Sequence, residues 1–187
     1  MMDPVLIGAI SFAVVVLAGL SVWFWKKRRT RSSVRDALAA VAIDHFDDVL
    51  IPDGMGGEIH LEHLLLTSRG ILVINVKHYE GVIFASERMD QWTAIGSDGR
   101  STFKNPLASL YDRVAAVREL VRDVEVAGYL IFPSKADFSK GRPDDVLLPE
   151  DLVSKYAKPE PGGVGQVNEA FEPLWDRIRQ AVRPASD

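Results

Sequence analysis

Asn75 and Lys77 stand two residues apart at the end of the apolar run Ile71-Leu72-Val73-Ile74, and Glu62 lies in the segment just before it. Side chains at i and i+2 of a strand share a face, so the Asn75 amide and the Lys77 ammonium point the same way. By the same rule Glu58, His60 and Glu62 share a face of the preceding strand. If those two faces meet, carboxylate, imidazole, amide and ammonium converge at one sheet edge. Burying a lysine beside a carboxylate is costly unless a site uses the pair. Glu62, Asn75 and Lys77 are therefore the candidate functional group of this chain.

The surrounding pattern supplies the elements that would hold them. Ser33 to His45 reads as a helix with Val34, Leu38, Val41 and Ala42 on one face. Val49 to Pro52 reads as a short strand closed by the Asp53-Gly54 turn. Glu58 to Thr67 and Ile71 to Lys77 read as strands joined by Ser68-Arg69-Gly70, the second apolar on both faces as a central strand is. Val82 to Ala85 and Gln91 to Ile95 add shorter strands. Asn105 as cap and Pro106 open a helix to about Arg122, burying Leu107, Leu110, Val114, Val117 and Val121. Val126 to Phe132 reads as another buried strand. Residues 134–167 read as loops with one short helix at Pro149 to Tyr156. Glu169 to Val182 reads as a last helix packing Phe171, Leu174, Trp175 and Ile178, and Arg183 to Asp187 as a frayed end. Helix, strands, helix, strand is the order of an α/β fold layered around a mixed sheet.

The stretch Leu61-Glu62-His63-Leu64-Leu65-Leu66-Thr67, then Arg69-Gly70-Ile71-Leu72-Val73-Ile74-Asn75-Val76-Lys77, then Gly81, resembles the nuclease-related domain (NERD) family. Trp92 and Phe103-Lys104-Asn105-Pro106-Leu107 continue its pattern, and the likeness covers roughly residues 34–132. NERD domains are similar to the PD-(D/E)XK nucleases, so the resemblance implies a restriction-endonuclease-like mixed β-sheet flanked by helices and a metal-dependent role on nucleic acid. In that superfamily two acids on neighbouring strands bind Mg²⁺, and a lysine two residues beyond the second acid orients or activates water. Mg²⁺ takes oxygen ligands, lowers the pKa of its water and stabilises charge on the reacting phosphate. Carried over by position, Glu62 is the first metal ligand, Asn75 stands at the second, and Lys77 is the catalytic lysine. Asp36 stands where many members carry a further acid. The chain departs from the pattern at Asn75, a neutral amide in place of a carboxylate. One unit of charge lost beside a divalent ion costs on the order of several kcal/mol. It departs again after Pro106, where Ala108-Ser109-Leu110 occupies the region in which many members place a Gln.

Several of these side chains admit a plainer reading. Lys77 also fits a buried-strand lysine that snorkels and pairs with Glu62. His63 reads as a hydrogen-bonded part of the motif, or as a ligand, base or nucleic-acid contact. Arg118 and Arg122, one helical turn apart, can meet phosphate or form a solvated face with Asp112, Glu119 and Asp123. His60 and His78 read as solvent-facing strand-edge residues, His45 as the end of the first helix, and Trp92 and Trp175 as core. The four histidines make no zinc pattern. The chain has no cysteine, which excludes disulfides and thiolate sites.

Val5 to Trp25 carries no charge and runs into Lys26-Lys27-Arg28-Arg29-Thr30-Arg31. At about 1.5 Å per helical residue it is long enough to cross a bilayer, with Trp23 and Trp25 placed for an interfacial belt. The basic cluster puts the N-terminus outside and the rest in the cytoplasm. A cleaved signal peptide fits less well, because the basic residues follow the apolar run and no Ala-x-Ala site ends it. The expected organisation is a tail 1–4, a transmembrane helix 5–25, a juxtamembrane linker 26–33, one domain 34–183 (motifs to 132, then an extension) and a tail 184–187. Residues 32–187 hold 17 of the 22 Lys and Arg and 25 of the 26 Asp and Glu, a net charge of −8. An acidic domain is no bulk electrostatic glue for nucleic acid, so any such contact is local. The expected protein is a membrane-anchored nuclease-related domain that binds or acts on nucleic acid, with Mg²⁺ as implied cofactor and the lipid bilayer as partner. The alternative is a non-catalytic tethered interaction module, marked by an exposed apolar patch.

Overall fold

The computed structural model describes residues 33–122, 124–156 and 161–185, and their side chains except those of 161–170. The expected transmembrane segment and basic cluster lie outside these residues. Among those described, no helix is long and apolar enough to cross a membrane.

Helix α1 (33–41) leads into strands β1 (Asp44–Pro52), β2 (Glu58–Thr67) and β3 (Gly70–Val76). Then come β4 (Gly81–Phe84), β5 (Gln91–Gly96), β6 (Gly99–Lys104), helix α2 (Leu107–Leu120), β7 (Val126–Ile131), β8 (Ala136–Asp137) and β9 (Val146–Leu147). Helices α3 (Pro149–Tyr156) and α4 (Pro161–Ala181) and strand β10 (Arg183–Pro184) close the chain. The main sheet has the order β10-β1-β2-β3-β7-β9, and a second sheet runs β6-β5-β4-β8. In the main sheet β1, β2 and β3 are antiparallel, whereas β3, β7 and β9 are parallel. The expected mixed sheet is therefore present.

Every residue of β3 is buried, which is why its sequence is apolar on both faces. Ile71 and Val73 join one core with α2, α4 and the second sheet, through Leu110, Val117, Trp175 and Trp92. Leu72, Ile74 and Val76 face the other way, into a core made with α1 and α3. Two glycines permit this closeness. A Cβ on Gly128 of β7 would come within 2.4 Å of Val114 Cγ2 and 3.1 Å of Leu110 Cγ, so α2 lies directly on the strand. Gly70 holds φ at 125°, and a Cβ there would meet Glu125 O at 2.4 Å.

Strand alternation breaks once, and the break shapes the site. Leu61 and Leu64, three residues apart, enter the same core, and so do their partners Val49 and Phe46 on β1. The turnover passes through Asp48, the only non-glycine with positive φ (53°) among the described residues. Aspartate tolerates that region better than a branched side chain does. Glu58, His60 and Glu62 alternate with Ile59 and Leu61, which both pack into that core, so their expected shared face holds up to the break, but the three take different partners. Glu58 Oε1 meets Arg183 at 3.4 Å, and His60 Nε2 lies 2.6 Å from Asp48 Oδ1.

Other expectations are corrected by long-range contacts. The first helix stops at residue 41, and His45 belongs to β1, because Asp44 is claimed by α4: its Oδ2 accepts from Trp175 Nε1 at 2.6 Å and Arg179 Nη2 at 3.2 Å. The expected frayed end is strand β10, paired to Val49 and Leu50. Strand β6 was not anticipated, and α4 starts at Pro161 rather than Glu169. Helix α2 starts at Leu107 and ends at Leu120, with Pro106 at the cap position. Asn105 still serves the helix start, since its Oδ1 accepts the Leu107 N–H at 3.0 Å while Nδ2 donates to Met89 O at 2.9 Å. Trp92 and Trp175 are core, as expected.

Gly128→Ala forces Val114 or the strand to move, and overpacking of this kind costs about 1–3 kcal/mol. The urea midpoint is expected to fall by that free energy divided by the slope m, with m itself unchanged. An unaltered midpoint would mean that α2 does not press on β7 as described.

Candidate functional site at the fork of the central strands

β2 and β3 remain paired up to His63 opposite Ile74, and then the ladder ends. The next residues outward are Glu62 and Asn75. Glu62 Oε2 accepts the Val76 backbone N–H at 2.9 Å and the Asn75 Nδ2–H at 3.3 Å. The carboxylate thus stands in for the strand carbonyl that the fork has removed. The meeting of Glu62 with Asn75 anticipated from alternation is present.

Asn75 is only 7% exposed, and its Oδ1 is buried without a hydrogen-bond partner. The amide orientation follows from its neighbour: turned over, it would set Oδ1 against the Glu62 carboxylate, acceptor against acceptor. A buried acceptor left unpaired costs about 1–3 kcal/mol, so this oxygen is a standing cost of the site.

Lys77 is half-buried, and its ammonium makes no hydrogen bond or ion pair among the described residues. Burial holds its pKa below the ordinary 10.5; the Glu62 charge opposes that shift and Arg113 adds to it. Arg113 is the basic residue of α2 that belongs here. Its Nε donates to His60 O at 2.6 Å and its Nη1 to Ser109 O at 2.6 Å, which fixes the guanidinium beside the fork. Two cations therefore face one carboxylate.

Arg118 and Arg122 are elsewhere. Arg118 Nη2 donates to Val126 O at 2.8 Å, at the start of β7, and Arg122 pairs with Glu119 at 3.5 Å. Val126 pairs with Ile71 and Ile131 with Val76, so Arg118 sits five strand residues, about 17 Å, from the fork. The exposed Arg122–Glu119 pair fits the solvated-face reading of this end of the helix. Asp36 is exposed on α1 and makes no hydrogen bond or ion pair with Glu62, Asn75 or Lys77.

His63 is held by a residue the sequence did not single out. Its Nδ1 lies 2.7 Å from Asp47 Oδ1, and its Nε2 lies 4.0 Å from Glu62 Oε1. His45 Nε2 is 3.7 Å from the other Asp47 oxygen. Asp47 stands directly opposite His63 in the β1–β2 register. With β1 expected to begin at Val49, that pairing was invisible.

As a seat for Mg²⁺ the cluster falls short. It offers one carboxylate and one neutral amide oxygen, and no group of three His, Cys, Asp or Glu suited to a metal occurs among the described residues. Glu62 Oε2 already takes two donors. Lys77 and Arg113 further oppose a dication. The donor set does not fit a resident Mg²⁺, whose sites use carboxylates and near-octahedral oxygen geometry.

A mixed sheet with an acid and a lysine at its central fork is a nuclease-like arrangement. The family model described as nuclease-related domain (NERD) matches residues 27–133, more than half of the chain, and the protein belongs to that family. It is similar to an uncharacterized protein of Bacillus anthracis, 30% identical over 66 residues that cover 35% of this chain and 31% of that protein. The chain thus spans about a third of that relative's length. No solved structure matches it.

The folded chain disfavours the charged form of Lys77. Between its folded pKa and 10.5 the unfolded chain binds the extra proton, so this group makes stability rise with pH across that window. Reductive ¹³C-methylation with NMR detection is expected to place Lys77 below the other lysines, and Glu62→Gln to lower it further. A Lys77 titration indistinguishable from the surface lysines would contradict the desolvated placement.

Proposed function

We propose that this chain binds nucleic acid at the strand fork through Lys77 and Arg113, and that it does not cleave it efficiently with Mg²⁺. The observation that carries this reading is the charge count at the fork: the half-buried Lys77 ammonium and the backbone-anchored Arg113 guanidinium against the Glu62 carboxylate. An anion entering there gains the field of both and meets little solvent competition beside the half-buried lysine. The Asn75 oxygen offers one more acceptor, for a sugar hydroxyl or base N–H beside the phosphate. Membership of a nuclease-related family supports a polynucleotide as the source of that phosphate. The missing second carboxylate argues against cleavage, since the metal would have to be held by one charge.

The same proposal sets the domain at a membrane surface, with the apolar run Val5 to Trp25 as anchor and the domain in the cytoplasm. A second reading, a tethered interaction module, is favoured by one feature. Phe84 and Ile95 are exposed on the second sheet, where Val82 pairs with Ile95 and Phe84 with Thr93.

Purified full-length chain in detergent is expected to bind a labelled single-stranded oligonucleotide in EDTA. Lys77→Ala and Arg113→Ala should each weaken binding about tenfold, in the range of one lost charge-assisted phosphate contact, and Arg122→Ala should leave it unchanged. Equal loss with Arg122→Ala, or binding by the wild type only when a divalent metal is present, would overturn the reading. With Mg²⁺, plasmid is expected to survive the wild type and to be nicked by Asn75→Asp. Robust Lys77-dependent nicking by the wild type would show that the amide suffices. In cells, the chain should resist alkaline carbonate extraction, and deletion of residues 5–25 should release it; extraction of the intact chain would remove the anchor from the account.

A further inference from the structure

The other side of the fork opens on a cavity of about 470 Å³ beneath α1, within the size range of small-molecule sites. Its apolar walls come from Val34, Leu38 and Ala42 of α1 and from Leu65 and Val76 of the sheet. Its polar rim carries His45, His63, His78 and Arg35, with Asp47 and Glu62 beside them. Val76 and His78 line it, while Asn75 and Lys77 alternate to the opposite side of the strand. Glu62 is common to both sides, because its carboxylate lies in the gap where β2 and β3 part.

We infer that this cavity receives one unpaired base of a single-stranded nucleic acid whose phosphate lies at Lys77 and Arg113; the inference rests on the proposed function above. The charges separate the two subsites. Asp47 and Glu62 on the cavity rim outnumber its single arginine, Arg35, and disfavour a phosphate or a lipid headgroup phosphate there, whereas a base is neutral. The two cations favour the phosphate on the α2 side. A base presents flat apolar faces, which suit the aliphatic walls and the imidazole rings, and a polar edge. That edge meets both donors and acceptors, since Asp47 Oδ1 fixes the His63 ring at Nδ1 and leaves Nε2 towards Glu62 and the cavity. Imidazole stacking and edge contacts of this kind read unpaired bases and not paired ones. The site accordingly prefers single strands, and it takes a base at the nucleotide bound by Lys77.

The test uses full-length chain and three labelled probes: a single strand, the same strand annealed to its complement, and the same strand with abasic nucleotides throughout. The intact single strand is expected to bind about tenfold more tightly than the other two, the gain of one stacked base. Ala39→Trp, at an exposed α1 position on the cavity lining, should erase that preference while leaving duplex and abasic binding unaltered. Ala40→Trp, exposed and off the lining, should change nothing. His78→Ala should reduce the preference severalfold without placing bulk in the cavity. Equal binding of intact and abasic strands, still lost with Lys77→Ala, would overturn the base pocket and leave the phosphate site standing. A preference untouched by both Ala39→Trp and His78→Ala would also overturn it. No binding of any probe would remove both proposals together.

Discussion

The Glu62 carboxylate in the fork between β2 and β3 is the contact on which the site depends. A ladder that ends inside a sheet leaves the Val76 N–H without a strand acceptor, and a buried donor in that state is costly. Glu62 answers it with a charged acceptor and at the same time orients the Asn75 amide. The same charge compensates Lys77, whose burial would otherwise favour the neutral amine still more. One side chain thus closes the sheet, fixes the amide and sets the field of the site.

Much of the scaffold was legible because it is local. The β2 strand, the Ser68-Arg69-Gly70 hairpin and the doubly apolar β3 can be read from the periodicity of their residues, and so can the apolar face of α2. The meeting of Glu62 with Asn75, and the nearness of Lys77, were legible from strand alternation and from position in the family motif. What was hidden depends on contacts far apart in sequence. Asp44 leaves the first helix because Trp175 and Arg179 hold it from 131 and 135 residues away. Arg183 and Pro184 form a strand because β1 offers an open edge. Asp47 could be assigned to His63 only with the β1 register known. Arg113 looked ordinary on α2 until the packing of Gly128 against Val114 and Leu110 placed that part of the helix over the fork.

Charge gives the site its character within an acidic domain. Residues 32–187 carry −8 overall, so their far field does not recruit a polyanion. At the fork the balance reverses over a few ångströms, where two cations outnumber one carboxylate. The proposed binding of a phosphate backbone would be short-ranged under those terms, selective for chains that can reach into the fork, and sensitive to each cation by itself. A metal-dependent nuclease places its charge the other way, with acids gathered around a dication. Asn75, a neutral amide beside Glu62, adds no charge to the fork.

The most direct check on this account is the salt dependence of single-strand binding in EDTA for the full-length chain and for Lys77→Met. Each phosphate contact contributes about one unit to the slope of log affinity against log salt, somewhat less for single strands. The account predicts a shallow slope that falls by about 0.7 unit in the variant. An identical slope in both proteins, or no affinity until a divalent metal is added, would contradict the claim that Lys77 holds the phosphate directly.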